Sequence, residues 1–183
     1  MSHFEEKLTS KEIYKGKVVH LYCDNVKLEN GRETLRDVIR HPGGVCVAAL
    51  DDNMNILMVS QYRYPTGQEL LELPAGKLEY GENPMECGFR ELQEETGFTS
   101  ETLSYLGKMY PTPAYTDEII HMYYTTKITE STQNLDEGEF LTVRRIHFWK
   151  AYDMVISGTI IDAKTQIAIL KLAYILMEQG RGK

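Results

Sequence analysis

Positive charge, cysteine and long apolar runs are all scarce in this chain of 183 residues. The formal net charge of −7 excludes a broad surface for a nucleic-acid backbone, though not a site for small anionic ligands. The three cysteines, Cys23, Cys46 and Cys87, are odd in number, scattered and without CxxC spacing. Neither a disulfide framework nor a zinc site is expected, and reduced thiols fit a cytoplasmic protein. No apolar run approaches the roughly 20 residues that a membrane span needs. The opening "MSHFEEKLTSKEIYKGK" lacks the apolar core of a secretory signal. Internal repeats, low-complexity tracts and linker-like shifts are absent too. The remaining balance, 42% hydrophobic and 26% charged, is that of one ordinary domain with room for a core.

What the chain does have is acid at helical spacing. In "GKLEYGENPMECGFRELQEETGF", Glu91, Glu94 and Glu95 fall within an arc of roughly 100° on a helix. Such like-charge neighbours cost a few tenths of a kcal/mol per pair, so something should offset them. Asn83 reads as the N-cap, Pro84 as the first helical residue, Glu86 as the return partner of a capping box, and Gly97 as the stop. Met85, Gly88, Phe89, Leu92 and Thr96 share an arc expected to pack on a sheet, with the carboxylates beside it where solvent or ligand can reach. Mg²⁺ prefers hard oxygen ligands, and Glu91 and Glu95, one turn apart, can converge on one ion. Glu94 can pair with Arg90 at i−4. A plain solvated acidic helix is the alternative.

Around this helix the chain reads as strands. Asn30-Gly31 between alternating runs predicts a hairpin. "GVCVAAL", "NILMVSQYR" and "LLELPAG" precede the helix, and "TLSYLGKMY", "EIIHMYYTTKI" and "EFLTVRRIHFW" follow it. Two helices close the chain, one from near Trp149 to before Gly158, the other from about Asp162 to Gly180. In the second, Ile167, Leu170, Tyr174 and Met177 lie at helical spacing and read either as core or as a dimer face. This order predicts a mixed sheet covered by helices.

The residues Gly76, Glu82, Arg90, Glu91, Glu94, Glu95 and Gly97, with bulky Leu92 and Phe98, fit G-x5-E-x7-R-E-U-x-E-E-x-G-U at every fixed position. With average residue usage, such a match arises by chance with odds on the order of 10⁻⁷. The chain resembles the Nudix hydrolases. That resemblance implies an α/β/α sandwich with a mixed sheet, and Mg²⁺- or Mn²⁺-dependent hydrolysis of nucleoside diphosphates linked to another moiety. By the same resemblance Glu91 and Glu95 are metal ligands and Glu94 is a ligand or a support to them. Glu82 and Arg90 shape the loop and helix.

The likeness runs from about Tyr14 to Met177 and is strongest to the ADP-ribose pyrophosphatase branch. Pro113, sixteen residues after Gly97, stands where that branch has a proline, and "PTPAYTDE" matches its substrate loop with Glu118 as a ligand-contacting acid. The branch places a metal-binding carbonyl at Ala75, a phosphate- or ribose-contacting arginine at Arg63, and an arginine–acid pair near the nucleotide at Arg36 and Asp37. Arginine suits such work because its planar fork binds phosphate oxygens bidentately. In "LDEGEF", Glu137 matches a general base and Glu139 a further ligand; a polar turn is the bland alternative. Lys17 and Val18 depart from the aromatic residues that stack adenine in some members, and Tyr22 is a nearby substitute. The implied organisation is an N-terminal strand and hairpin region over residues 1–40, a dimer contact, followed by the hydrolase domain over 41–183. The implied reaction converts ADP-ribose to AMP and ribose 5-phosphate in a cytoplasmic homodimer with no nucleic-acid or membrane partner. Nucleotide sugars, NADH and dinucleoside polyphosphates are alternative substrates, and a non-hydrolytic nucleotide sensor is an alternative role.

Overall fold

A computed structural model describes residues 3–180 and 182. The chain divides into two units, one running through Gly43 and also taking in Tyr110–Ile119, the other formed by Gly44–Met109 and the chain from Ile120 onwards.

The first unit is a three-stranded antiparallel sheet of β1 (Glu6–Lys15), β2 (His20–Lys27) and β3 (Glu33–Arg40), in that order. The Asn30-Gly31 hairpin is present, with Lys27 opposite Glu33 and Gly31 at a φ of 82° that glycine tolerates. Sequence reading found no strand at β1, and all ten of its residues are exposed. The Tyr110–Ile119 segment is fastened to β3, where Ile39 N donates to Tyr115 O at 2.7 Å and Arg40 Nη1 to Asp117 Oδ2 at 3.1 Å.

The second unit starts with β4 (Gly44–Ala49), β5 (Asn55–Arg63), β6 (Gln68–Glu72) and β7 (Ala75–Lys77). Helix α1 (Pro84–Thr96) follows, then β8 (Phe98–Thr99), β9 (Ser104–Met109), β10 (Ile120–Thr125), β11 (Thr129–Glu130) and β12 (Leu141–His147). Helices α2 (Phe148–Ile156) and α3 (Ala163–Glu178) end it. The sheets are β7-β4-β10-β9, β12-β5-β6 and the short β11-β8 pair. Strands β4 and β10 run parallel and the others antiparallel, so the sheet is mixed.

Every residue of β4 is buried, as expected of a strand covered on both faces. Its side chains alternate. Val45, Val47 and Ala49 join Cys87 and Leu92 of α1, while Cys46 and Ala48 join Phe148 of α2 and Ala168 and Leu172 of α3. That alternation makes the α/β/α sandwich. Burying Leu92 completely contributes about 2 kcal/mol of transfer free energy.

Several expectations change. "LLELPAG" is two strands, β6 and β7, broken at Leu73-Pro74, because proline has no N–H for the ladder. The α2 helix takes in Phe148 as well as Trp149. In α3 the buried line is Ala168, Ile169, Leu172, Ala173 and Leu176, whereas Leu170, Tyr174 and Met177 are exposed. Both faces of that helix are apolar, so spacing alone does not choose between them.

Candidate functional site

Helix α1 begins and ends where local chemistry dictates. Asn83 Oδ1 accepts from Met85 N at 2.8 Å, and Gly97 takes a φ of 72° as its N–H closes on Gln93 O. The capping-box return from Glu86 is not made among the described residues. Instead Glu82 Oε2 accepts from Glu79 N at 2.8 Å and ties down the preceding turn.

The inward face of α1 is wider than expected: Gly88, Leu92 and Thr96 are buried and Phe89 packs against the core, but the carboxylates join them. Its buried residues are Cys87, Gly88, Glu91, Leu92, Glu95 and Thr96, so Glu91 and Glu95 turn inwards while Met85 is exposed. Gly88 permits the close approach, since a Cβ there would lie 3.0 Å from Leu103 Cδ1 and 3.5 Å from Val47 Cγ2. The carboxylates are therefore not at a solvated edge: Glu91 is 9% exposed and Glu95 2%.

Arg90 organises the acids. Its Nε and Nη2 donate to the two oxygens of Glu82 at 2.9 and 3.1 Å, and its Nη1 donates to Glu91 Oε1 and Glu94 Oε2, both at 2.8 Å. One guanidinium thus draws three carboxylates together and offsets their repulsion. The bond from Arg90 is the main reason that Glu82 titrates down at about 2, against its partial burial. For Glu91 and Glu95 burial dominates. It pushes Glu91 up to about 7, Arg90 notwithstanding, and Glu95 up to about 8 despite the bond from Ala75 N. The charges of Glu139 on both, of Glu94 on Glu91 and of Glu91 on Glu95 push the same way.

The strand side of the site is as close. Ala75 N donates to Glu95 Oε2 at 2.9 Å. A Cβ at Gly76 would fall 1.9 Å from the Glu91 carboxyl, so glycine here is a requirement of space. The segment leading to Glu139 is laced onto the end of α1: Ser131 N donates to Gly97 O, Gln133 Nε2 to Glu95 O and Asn134 N to Glu94 O, which satisfies carbonyls that the helix leaves open. Glu139 is then fixed by Gln61 Nε2 at 3.0 Å, while Glu137 is exposed beside Gly138 and makes no hydrogen bond among the described residues. Arg63 is held by Glu72, Nε to Oε1 at 2.6 Å and Nη2 to Oε2 at 2.8 Å, and also senses the charge of Glu95.

Arg36, Asp37 and Glu118 belong to the first unit. Both forks of Arg36 engage Glu5, at 3.0 and 2.7 Å; Asp37 is exposed; Glu118 Oε1 lies 3.6 Å from His41 Nδ1. Sequence reading passed over Glu72, Gln61, Asp162 and Lys164. Gln61 is marked out by Glu139 and Glu72 by Lys164, partners 78 and 92 residues away, whereas Asp162 meets its near neighbours Lys164 and Thr165.

The donor set fits a hard divalent cation: the carboxylates of Glu91 and Glu95, both raised in proton affinity by the charge of Glu139, beside the backbone of Ala75, whose N–H already meets Glu95. Among the described residues no three His, Cys, Asp or Glu side chains are already gathered as ligands. Arg90, Ala75 N and Gln61 each occupy one oxygen of Glu91, Glu95 and Glu139. The second oxygen of each has no hydrogen-bond partner among the described residues. Gln61 Oε1 is a buried acceptor that also lacks one.

Comparison with known proteins speaks to family and fold. A family model of the NUDIX domain matches residues 40–165. An ADP-ribose pyrophosphatase of Bacillus subtilis (strain 168) is 41% identical over 172 residues, 92% of this chain and 93% of that protein. A methanol dehydrogenase activator of Bacillus methanolicus is 40% identical over 169 residues, 91% of either chain. The crystal structure of an ADP compounds hydrolase matches with a TM-score of 0.85 over 97% of this chain and 96% of its own, and at 20% identity it speaks for the fold. With the matched span covering well over half of its length, and with relatives this similar along nearly all of it, the chain belongs to the Nudix family.

Proposed function

We propose that this Nudix hydrolase cleaves the diphosphate of ADP-ribose, giving AMP and ribose 5-phosphate. The observation that carries the reading is the buried pair Glu91 and Glu95 facing the charge of Glu139, too rich in negative charge to be content without a cation. The choice of substrate leans on the 41% identity to an ADP-ribose pyrophosphatase.

In this reading Glu91, Glu95, Glu139 and the Ala75 carbonyl hold Mg²⁺, with Mn²⁺ as a substitute and Glu94 supporting through Arg90. A cation held there would supply charge neutralisation of the diphosphate and a more acidic water for in-line attack at phosphorus. Arg63 binds phosphate oxygens through the nitrogen that Glu72 leaves open, and Arg36, Asp37 and Glu118 orient the nucleotide. Glu137 takes the proton of the attacking water. Arg90 and Glu82 fix the α1 carboxylates, and Gly76 and Gly97 provide the space and the turn they need. The protein acts in the cytoplasm as a homodimer built through its N-terminal strands, on a small nucleotide and without a nucleic-acid or membrane partner. Among the described residues no helix is long and apolar enough to cross a membrane.

The test is a product assay with Mg²⁺ across ADP-ribose, nucleotide sugars, NADH and dinucleoside polyphosphates. Release of AMP from ADP-ribose at the highest kcat/KM is expected. A stronger preference for another member would replace the substrate. Tight ADP-ribose binding with no AMP released over hours would turn the reading to a non-hydrolytic sensor.

A further inference from the structure

Behind Arg63 lies a second ionic cluster that the box does not include. The Glu72 side chain is 1% exposed, and both its oxygens are taken. Arg63 donates to each of them, and Lys164 Nζ donates to Oε2 as well. Lys164 Nζ also donates to Asp162 Oδ1 at 3.0 Å, and Asp162 Oδ2 caps α3 by accepting from Thr165 N at 3.0 Å. The fully buried Thr165 accepts in turn from Leu73 N at 2.9 Å. The first turn of α3 therefore grips the chain just before Ala75 twice, once by a side chain and once by the backbone.

Two cations and two anions balance here. Stability alone is a poor reason for such a set, because apolar replacements of buried ion pairs are often neutral or better. The four members also differ in access. The Lys164 side chain is 13% exposed and spends its charge on Glu72 and Asp162. That of Arg63 is 37% exposed, and its Nη1 makes no hydrogen bond among the described residues. Of the cluster's donor nitrogens among the described residues, the one that makes no hydrogen bond is Arg63 Nη1.

We propose that Lys164 is a positioning residue for Arg63: it takes a share of the Glu72 carboxylate, which fixes that carboxylate's direction and leaves the guanidinium free at Nη1 for the diphosphate. This deepens, and rests on, the reading of Arg63 as a phosphate contact. Without the ammonium, Glu72 turns its whole charge on Arg63 and the cluster becomes net negative towards an anionic substrate.

The experiment compares Lys164→Met, Lys164→Arg, Arg63→Gln and the double variant Arg63→Gln/Lys164→Met, using the best substrate of the panel above. Lys164→Met is expected to raise KM about tenfold with kcat within about threefold, the signature of lost uniform binding. Its melting temperature should fall, because one partner of a buried pair is removed. Lys164→Arg should recover most of the KM, and Lys164→Met should add little in the Arg63→Gln background, because the two act through one contact. If Arg63→Gln raises KM and Lys164→Met does not, this inference falls and the reading of Arg63 stands. If Arg63→Gln leaves KM unchanged, the phosphate contact is wrong and the inference goes with it. If Lys164→Met and Lys164→Arg both lose stability and kcat together, the lysine is structural and the inference is overturned.

Discussion

Glu72 and Glu95 are equally buried, at 1% and 2% exposure, yet they titrate in opposite directions. Burial pushes both up. At Glu72 the bonds from Arg63 and the charge of Lys164 more than reverse it, and the carboxyl ends below its ordinary value. At Glu95 one backbone N–H opposes the charges of Glu91 and Glu139, and the carboxyl ends at about 8. The first group is a closed account of charge that holds a neighbour in place. The second is open, and it binds either protons or a metal. On the proposed reading, two clusters in one unit, each centred on buried glutamate, would divide positioning from cation binding.

The largest expected effect comes from breaking the open cluster. Glu91→Gln or Glu95→Gln should lower kcat/KM by about 10³-fold or more, roughly 4 kcal/mol of transition-state stabilisation. The metal-free variants should melt at the wild-type temperature or above, since each substitution relieves repulsion. Steady-state kinetics and thermal melts in chelator check both halves, and wild-type turnover in excess chelator would defeat the metal reading altogether.

Within the loop the comparison becomes finer. Glu137→Gln should lower kcat about 100-fold, in the range of a lost general base, with KM and the Mg²⁺ requirement near wild type. Glu139→Gln should lose activity that rising Mg²⁺ restores. Titrating Mg²⁺ against rate for each variant separates the roles, and the opposite pattern of rescue would exchange them.

The two clusters also predict opposite responses to pH. A carboxyl with a raised folded pKa contributes an unfavourable term that grows as pH climbs from about 4.5, where the unfolded group ionises, to its folded value. For Glu91 and Glu95 that window closes at about 7 and about 8. Metal-free protein should therefore lose on the order of 5 kcal/mol of stability between pH 5 and pH 8. Excess Mg²⁺ should flatten or reverse the slope. Glu72, with its pKa lowered, stabilises above the unfolded value, and that contribution is lost only as pH falls below about 4.5. Denaturant melts across pH with and without Mg²⁺ read both windows. A metal-free protein equally stable at both ends would mean that the open cluster is not open.

Which of these features could be read in the sequence depended on how far apart their partners lie. The start and stop of α1 are legible because Asn83, Pro84 and Gly97 act on their immediate neighbours. The inward turn of Glu91 and Glu95 is not, because charge argued for a solvated edge, whereas the N–H of Ala75 and the space left at Gly76 receive the two carboxylates on the strand side. Strand β1 has no buried face to print an alternation. The α3 face is ambiguous because both sides are apolar. Glu72 and Lys164 are 92 residues apart, and nothing local in either segment announces the other.

Gly76 is the sharpest and smallest test of this boundary, since the pattern names the residue without saying why it must be glycine. Its backbone is not among the positive-φ positions, so conformational freedom is not the reason. The reason is the Glu91 carboxyl, 1.9 Å from where a Cβ would stand. Only the end of that side chain has to move, so Gly76→Ala should fold, with Glu91 swung away and its bond to Arg90 broken. Cation affinity should fall about tenfold, close to 1.4 kcal/mol, and saturating Mg²⁺ should recover most of kcat. The closed cluster should be untouched, so KM at saturating Mg²⁺ should stay near wild type. Calorimetric Mg²⁺ titration alongside kinetics checks this. A Gly76→Ala protein that binds Mg²⁺ normally would show that Glu91 does not need the place it occupies.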